Sequence, residues 1–216
     1  MISGLKDPFN IIVTGVGGQG NVLASRILGN MLAMRGFQVT IGETFGASQR
    51  GGSVMSHLRV SRDSTWSPQI PKGQADAIIA LEPAEGVRVL RDYGHEKVFF
   101  LSNTRPVFPA GVIAGDAVYP PIDEIRAGVI SLVPDARFID ATEEAIRLGR
   151  PILGNIVMLG ALAETRLLPL DRKAFRAAAE KTAGRNSLAY NLQAYDAGVR
   201  LSRLSKHGVR GLEKNV

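Results

Sequence analysis

The chain contains no cysteine. That excludes disulfides, and it excludes zinc or iron–sulfur clusters held by the chain's own thiolates. Any such centre must sit on another subunit. Histidine is scarce as well: His57, His95 and His207 lie far apart in the sequence, which argues against a metal site. Aromatic residues make up only 6%, and they do not interleave with the basic ones. The net charge of +6 is therefore not read as a nucleic-acid surface. No apolar run approaches the roughly 18–20 residues of a membrane span. The opening residues, Met1 to Pro8, lack the apolar core of a signal peptide. The expected location is the cytoplasm.

What is present is an ordinary globular composition: 216 residues, 45% hydrophobic and 21% charged. Short β-branched runs alternate with helical patterns. The strand candidates are Asn10–Thr14, Phe37–Ile41, Val54–Ser61, Ala77–Leu81, Val98–Ser102 and Arg137–Ile139. The helix candidates are Gln19–Arg35, Ala84–Tyr93, Thr142–Leu148, Ile152–Thr165, Arg172–Lys181 and Ser187–Ser205. This alternation predicts an α/β fold, a Rossmann-like, mostly parallel sheet with helices on both faces. After Gly149 the strands stop. Residues 1–150 are read as the sheet domain, 151–205 as a helical appendage packed on it, and 206–216 as a flexible basic tail. Pro68 and Pro71 mark 63–73 as an irregular loop, with Trp66 either its anchor or a partner contact.

The first candidate site is Gly15-Val-Gly-Gly-Gln-Gly20, placed between a strand and a helix. Glycine allows positive φ and close backbone approach, and the helix that follows offers N–H groups and a positive dipole end to an anion. Gly15, Gly17 and Gly20 fit the G-x-G-x-x-G spacing of dinucleotide-binding turns; the plain alternative is a turn that only packs strand against helix. Glu43 falls near where an acid would hold an adenosine ribose, although Gly42 intervenes and a surface pair with Arg50 is the other reading. The loop Glu43-Thr-Phe-Gly-Ala-Ser-Gln-Arg-Gly-Gly52 suits oxyanions. Arg50 brings a planar donor fork, Ser48 and Gln49 bring side-chain donors, and Gly51 and Gly52 bring backbone access. Arg59, in the next strand, faces either this cleft or solvent. His57 is read as packed in the sheet. No catalytic residue is identified: Ser25 and Ser48 lack a base, and no Lys-Ser/Thr follows the glycines as in a P-loop.

The two glycine loops, followed by Ser56-His-Leu-Arg59, resemble the gamma-type domain of 2-oxoacid:ferredoxin oxidoreductases. Asn155-Ile-Val-Met-Leu-Gly-Ala161 is similar to the family's third block, and the resemblance spans roughly residues 9–200. A free-standing chain of this kind is most similar to the small subunit of the indolepyruvate-type enzymes. The resemblance implies a large partner subunit carrying thiamine diphosphate, Mg and 4Fe-4S clusters. That complex decarboxylates a 2-oxoacid, forms an acyl-coenzyme A and reduces ferredoxin. It also implies that Gly15, Gly17, Gly18, Gln19, Gly20, Glu43, Ser48, Arg50, Gly51, Gly52, Arg59 and Asn155 lie at the coenzyme A or partner interface. Two alternatives stay open: a stand-alone NAD(P)-binding oxidoreductase, and a non-enzymatic nucleotide-binding module.

Overall fold

The structure is a computed structural model that describes residues 5–45 and 52–209, with the backbone alone at 45, 110, 111 and 205–209. Its strands are β1 (Phe9–Val16), β2 (Gln38–Phe45), β3 (Ser53–Ser61), β4 (Ala77–Ala80), β5 (Phe99–Asn103) and β6 (Ala136–Ile139). The helices are α1 (Asn21–Ala33), α2 (Pro83–Tyr93), α3 (Ala110–Ala114), α4 (Ile122–Leu132), α5 (Ala141–Arg147), α6 (Gly154–Thr165), α7 (Arg172–Ala183) and α8 (Leu188–Val209), with a short 3-10 turn, Pro151–Leu153, leading into α6. None of the described helices is long and apolar enough to cross a membrane.

The six strands form one mixed sheet in the order β2-β3-β1-β4-β5-β6. The run β1-β4-β5-β6 is parallel. β3 is antiparallel to both its neighbours and separates β2 from β1. The central strands read as unbroken apolar runs because both faces of the sheet are covered. Ile11, Val13, Ile79 and Leu101 join one core with α1, α6, α7 and α8. Ile12, Ile78 and Phe100 join a second core with α2 and α4. The C-terminal helices thus share a continuous core with the sheet. α6 is buried nearly all round, from Gly154 to Ala163. α8 continues through Val209, and the remaining positions assigned to a basic tail, 210–216, lie outside the described residues.

Each expected strand is present, and β2 is longer than its apolar run indicated. α4 was not expected. It carries Gly128 at its centre and buries only Ile125 and Val129, which is too weak a periodic signal to stand out. The loop following β3 is irregular as expected. Ile70 anchors it in the second core, and the Arg59 guanidinium lies 4.8 Å from the Trp66 ring centroid.

His57 sits under this loop. Its Nδ1 accepts from the Ile70 N–H at 3.2 Å, and its ring meets Tyr93 edge-on at 5.3 Å. Burial holds the imidazole below its ordinary value of 6.5. A neutral ring in the folded state and a titrating one in the unfolded state mean that the unfolded chain binds more protons below that value. Stability is therefore present above pH 6.5 and is lost as pH falls from there toward the lower folded value. Chemical denaturation of wild type and His57→Gln between about pH 5 and 8 checks this: the stability gap between them should shrink on acidification. A gap independent of pH refutes it.

Candidate functional site

The first glycine turn closes on itself. Gly18 and Gly20 have φ of 101° and 81°, the left-handed region that glycine tolerates. The Gln19 side chain folds back over the turn, where Oε1 accepts from the Val16 N–H at 2.7 Å and Nε2 donates to the Leu81 carbonyl at 3.1 Å. A Cβ on Gly15 would stand 2.6 Å from that Oε1, so Gly15 makes room for the clasp. The glutamine carbonyl occupies a backbone donor that a phosphate oxygen would otherwise take. α1 begins at Gly20 with no side-chain cap and no acid in its first turn, which leaves its N-terminal N–H groups available.

The two glycine loops meet. The Gly17 N–H donates to the Gly52 carbonyl at 2.8 Å. Nearby, the Thr14 hydroxyl and Asn21 Nδ2 both donate to the Val54 carbonyl, at 3.3 and 3.1 Å. Ser48, Arg50 and Gly51, assigned to the second loop, lie outside the described residues. Beside its far end, the Ser53 hydroxyl donates to Glu85 Oε2 at 2.6 Å, and Arg88 donates to the same carboxylate oxygen at 2.8 Å.

Glu43 is not beyond a strand end. It lies within β2, opposite Ser56, which itself faces Val13. Its carboxylate is 3.9 Å from Arg26 Nε on α1; the alternative partner, Arg50, lies outside the described residues. In a dinucleotide fold the second strand adjoins the first and sets its acid beside the glycine turn. Here β3 intervenes, which moves β2 to roughly 10 Å from β1 at ordinary strand spacing. Arg59 is also elsewhere. It faces Asn10, whereas Gly15 faces Val54, so it lies five residues down the strand from the turn. Its Nε donates to Asn10 Oδ1 at 3.1 Å and its Nη1 to the Ser67 carbonyl at 3.2 Å. These contacts anchor the irregular loop.

Asn155 does join the turn. At the start of α6 it donates through Nδ2 to the Gly20 carbonyl at 3.1 Å. Beside it, at the carboxyl ends of β1, β4, β5 and β6, is a pocket of about 320 Å³ lined by Gly18, Gln19, Leu81, Asn103, Thr142 and Asn155 among others. α1 and α2 leave this edge toward opposite faces, which is where open α/β sheets bind ligands. Asn103 and Thr142 were not singled out from the sequence. Asn103 Nδ2 donates to the Leu81 carbonyl at 3.1 Å and to Thr142 Oγ1 at 2.9 Å, and the Thr142 N–H returns to Asn103 Oδ1 at 3.2 Å. Asn103 is the last residue of β5, whereas Thr142 lies three residues beyond β6, inside α5.

Glu82 was missed too. It is 1% exposed and caps α2, its Oε2 accepting from the Glu85 N–H at 2.8 Å. Its Oε1 accepts from the Tyr119 hydroxyl and from the Val107 N–H, which ties the loop following β5 to α2. Burial pushes its carboxyl above the ordinary range. A larger apolar groove of about 770 Å³ runs between α2 and α4, and none of the candidate residues lines it. Among the described residues no group of three or more His, Cys, Asp or Glu is placed to hold a metal ion.

Comparison with known proteins matches the pyruvate ferredoxin/flavodoxin oxidoreductase family over residues 10–201. The indolepyruvate oxidoreductase subunit IorB of Pyrococcus horikoshii is 34% identical over 197 residues, covering 90% of this chain and 96% of that one. Its counterpart in Archaeoglobus fulgidus is 35% identical over 189 residues, covering 88% and 92%. Among solved structures, the gamma subunit of a keto/oxoacid ferredoxin oxidoreductase from Geobacter sulfurreducens shares the fold, with a TM-score of 0.64, 21% identity and coverage of 91% of this chain and 99% of that one. A 2-oxoglutarate:ferredoxin oxidoreductase from Magnetococcus marinus, solved with 2-oxoglutarate, coenzyme A and succinyl-CoA bound, gives a TM-score of 0.68 at 23% identity, over 92% of this chain and 32% of that one. The fold, the paired glycine loops and these relatives lead to one conclusion: the chain belongs to the pyruvate ferredoxin/flavodoxin oxidoreductase family.

Proposed function

We propose that this chain is the small, gamma-type subunit of a cytoplasmic 2-oxoacid:ferredoxin oxidoreductase of the indolepyruvate or arylpyruvate type. The complex oxidatively decarboxylates its 2-oxoacid, forms an acyl-coenzyme A and passes electrons to ferredoxin. The observation that carries this is the similarity, nearly end to end, to proteins named as indolepyruvate oxidoreductase subunits.

The residues present accord with a division of labour. The chain has no cysteine, so cluster ligands belong to a large partner. That partner also holds thiamine diphosphate and Mg, and the carbanion chemistry is the cofactor's. The role left for this chain is to bind, orient and exclude water. Its turn supports such a role toward the phosphates of coenzyme A: α1 is uncapped, and the Gly17 N–H bonds Gly52 beside that helix end. The intervening β3 weighs against a stand-alone NAD(P) oxidoreductase, because it takes Glu43 away from the turn.

An anaerobic pull-down of the chain tests the assembly. A brown, thiamine-bearing partner with arylpyruvate- and coenzyme A-dependent dye reduction is expected; a colourless, solitary chain overturns the reading. Within the complex, Arg50→Ala should lower turnover about tenfold or more, as loss of a charge-assisted phosphate contact would. It should leave assembly intact, and full activity would sink the role given to this loop.

A further inference from the structure

On one side the sheet ends in β2, which pairs with β3 alone. Its other edge is open: among the described residues, no backbone bond from a loop or turn reaches residues 38–44. Such an edge presents a row of unpaired N–H and C=O groups, and proteins ordinarily blunt it by shortness, proline, lysine or a bulge. β6, at the opposite edge, is short, at four residues. β2 has eight, contains neither proline nor lysine, and pairs with β3 in continuous register without a bulge.

The surroundings of that edge give the missing strand a character. Val39 and Ile41 point toward α1, where Gly29 makes room: a Cβ there would stand 2.8 Å from Ile41 Cδ1. A notch of about 480 Å³ runs beside them between β2, α1 and the end of α7, with Arg26, Asn30, Lys181 and Thr182 on its walls. Asn30 Nδ2 donates to Thr182 Oγ1 at 3.0 Å and ties the two helices together. Lys181 is exposed and makes no ion pair among the described residues. A strand added at this edge sends every second side chain toward the notch. The notch therefore favours apolar side chains beside Val39 and Ile41, and a carboxylate beside Lys181.

β2 itself has that pattern. Alternation puts Val39, Ile41 and Glu43 on one face, and Glu43 is the one acid of the strand. We propose that two copies of this chain join by antiparallel pairing of β2 with β2, about a two-fold axis at Ile41 in the middle of the strand. Ile41 lies against Ile41 of the second copy, Val39 opposite Glu43, and Thr40 opposite Gly42. Each Glu43 carboxylate falls between its own Arg26, 3.9 Å away, and Lys181 of the second copy. The two sheets become one, with α1 on the same side of both. A strand with lysine or arginine in place of Glu43 would set like charges in the notch, which disfavours it as the occupant. The interface needs this chain alone, so its failure leaves the assembly reading untouched.

The test is sedimentation of the full chain from about 5 to 500 µM, with introduced thiols to read the register. A monomer–dimer equilibrium with a Kd in the micromolar range is expected, since a seam of one strand is smaller than a standard interface. The chain has no cysteine, so an added one reports without background. Ile41→Cys should oxidise to a covalent dimer, because facing residues stand about 5 Å apart at Cβ. Val39→Cys and Glu43→Cys should each stay uncross-linked alone, because about 13 Å separates like residues along the seam. An equimolar mixture of the two should cross-link. Lys181→Glu should raise Kd roughly tenfold by setting like charges together. Lys173→Glu makes the same charge change on α7 away from the notch, and should leave Kd unaltered. Both lysines are exposed, and an unchanged melting temperature checks that the fold persists. A chain that is monomeric throughout this range overturns the proposal and leaves the edge to the large subunit. So does cross-linking of Val39→Cys or Glu43→Cys alone, failure of their mixture to cross-link, or equal effects of Lys181→Glu and Lys173→Glu.

Discussion

Gly160→Ala is expected to destabilise the protein by at least about 3 kcal/mol, lowering Tm by roughly 6–12 °C. An alanine in a helix interior normally stabilises by up to about 1 kcal/mol over glycine, so the expected sign is the reverse of the helical preference. The cause is the crossing of α6 and α8. A Cβ on Gly160 would overlap the Tyr195 carbonyl, and one on Gly198 would overlap the Val157 carbonyl. The obstruction is backbone on both sides, so no side chain can rotate away. The same contact positions Tyr195, whose ring stacks on Phe175 at 4.2 Å within the core. Gly128→Ala in α4 is the control. A Cβ there meets nothing within 4 Å, and a gain of about 0.5–1 kcal/mol is expected. Thermal and denaturant unfolding of the two variants reads both signs. Equal effects at the two positions would refute the packing argument.

Gln19→Leu should cost about 1–3 kcal/mol, because it leaves the Val16 N–H without its partner and takes from the Leu81 carbonyl one of its two donors, the other being Asn103 Nδ2. It should also reduce turnover of the assembled enzyme at least about tenfold, since the displaced turn carries Gly17 and with it the bond to Gly52. Gln19→Glu keeps an acceptor for Val16 but sets a carboxylate against the Leu81 carbonyl, and it should fall between leucine and wild type. Denaturant unfolding of the chain and dye-linked turnover of the complex measure the two effects separately. Wild-type stability in Gln19→Leu would show that the clasp holds nothing, and a stable but inactive variant would place the glutamine in ligand contact.

Much of this molecule is written locally. The apolar runs at Asn10–Thr14, Ala77–Leu81 and Val98–Ser102 are strands because β-branched and aromatic side chains fill both faces of a covered sheet. Asp171 caps α7 through a purely local contact, its carboxylate accepting from the Ala174 N–H at 2.7 Å. The glycines of the first turn announced a sharp reversal before α1, which positive φ at Gly18 and Gly20 bears out. Other features depend on partners distant in the chain. That β3 enters between β2 and β1 is a matter of strand pairing, and no local pattern in Val54–Ser61 records which neighbour it takes. Glu43 and Arg59 are where they are because of that pairing.

The sequence alone determined the alternating α/β order, the glycine turn and the absence of thiolate chemistry, because these follow from side-chain periodicity, from glycine's missing Cβ and from composition. Only the tertiary structure decided what the turn touches. Gln19 closing on Leu81, Gly17 reaching Gly52, Asn155 arriving from 135 residues away and α6 lying backbone to backbone on α8 are contacts between separate segments. Their energy comes from burial and hydrogen bonding that exist only once the chain has folded.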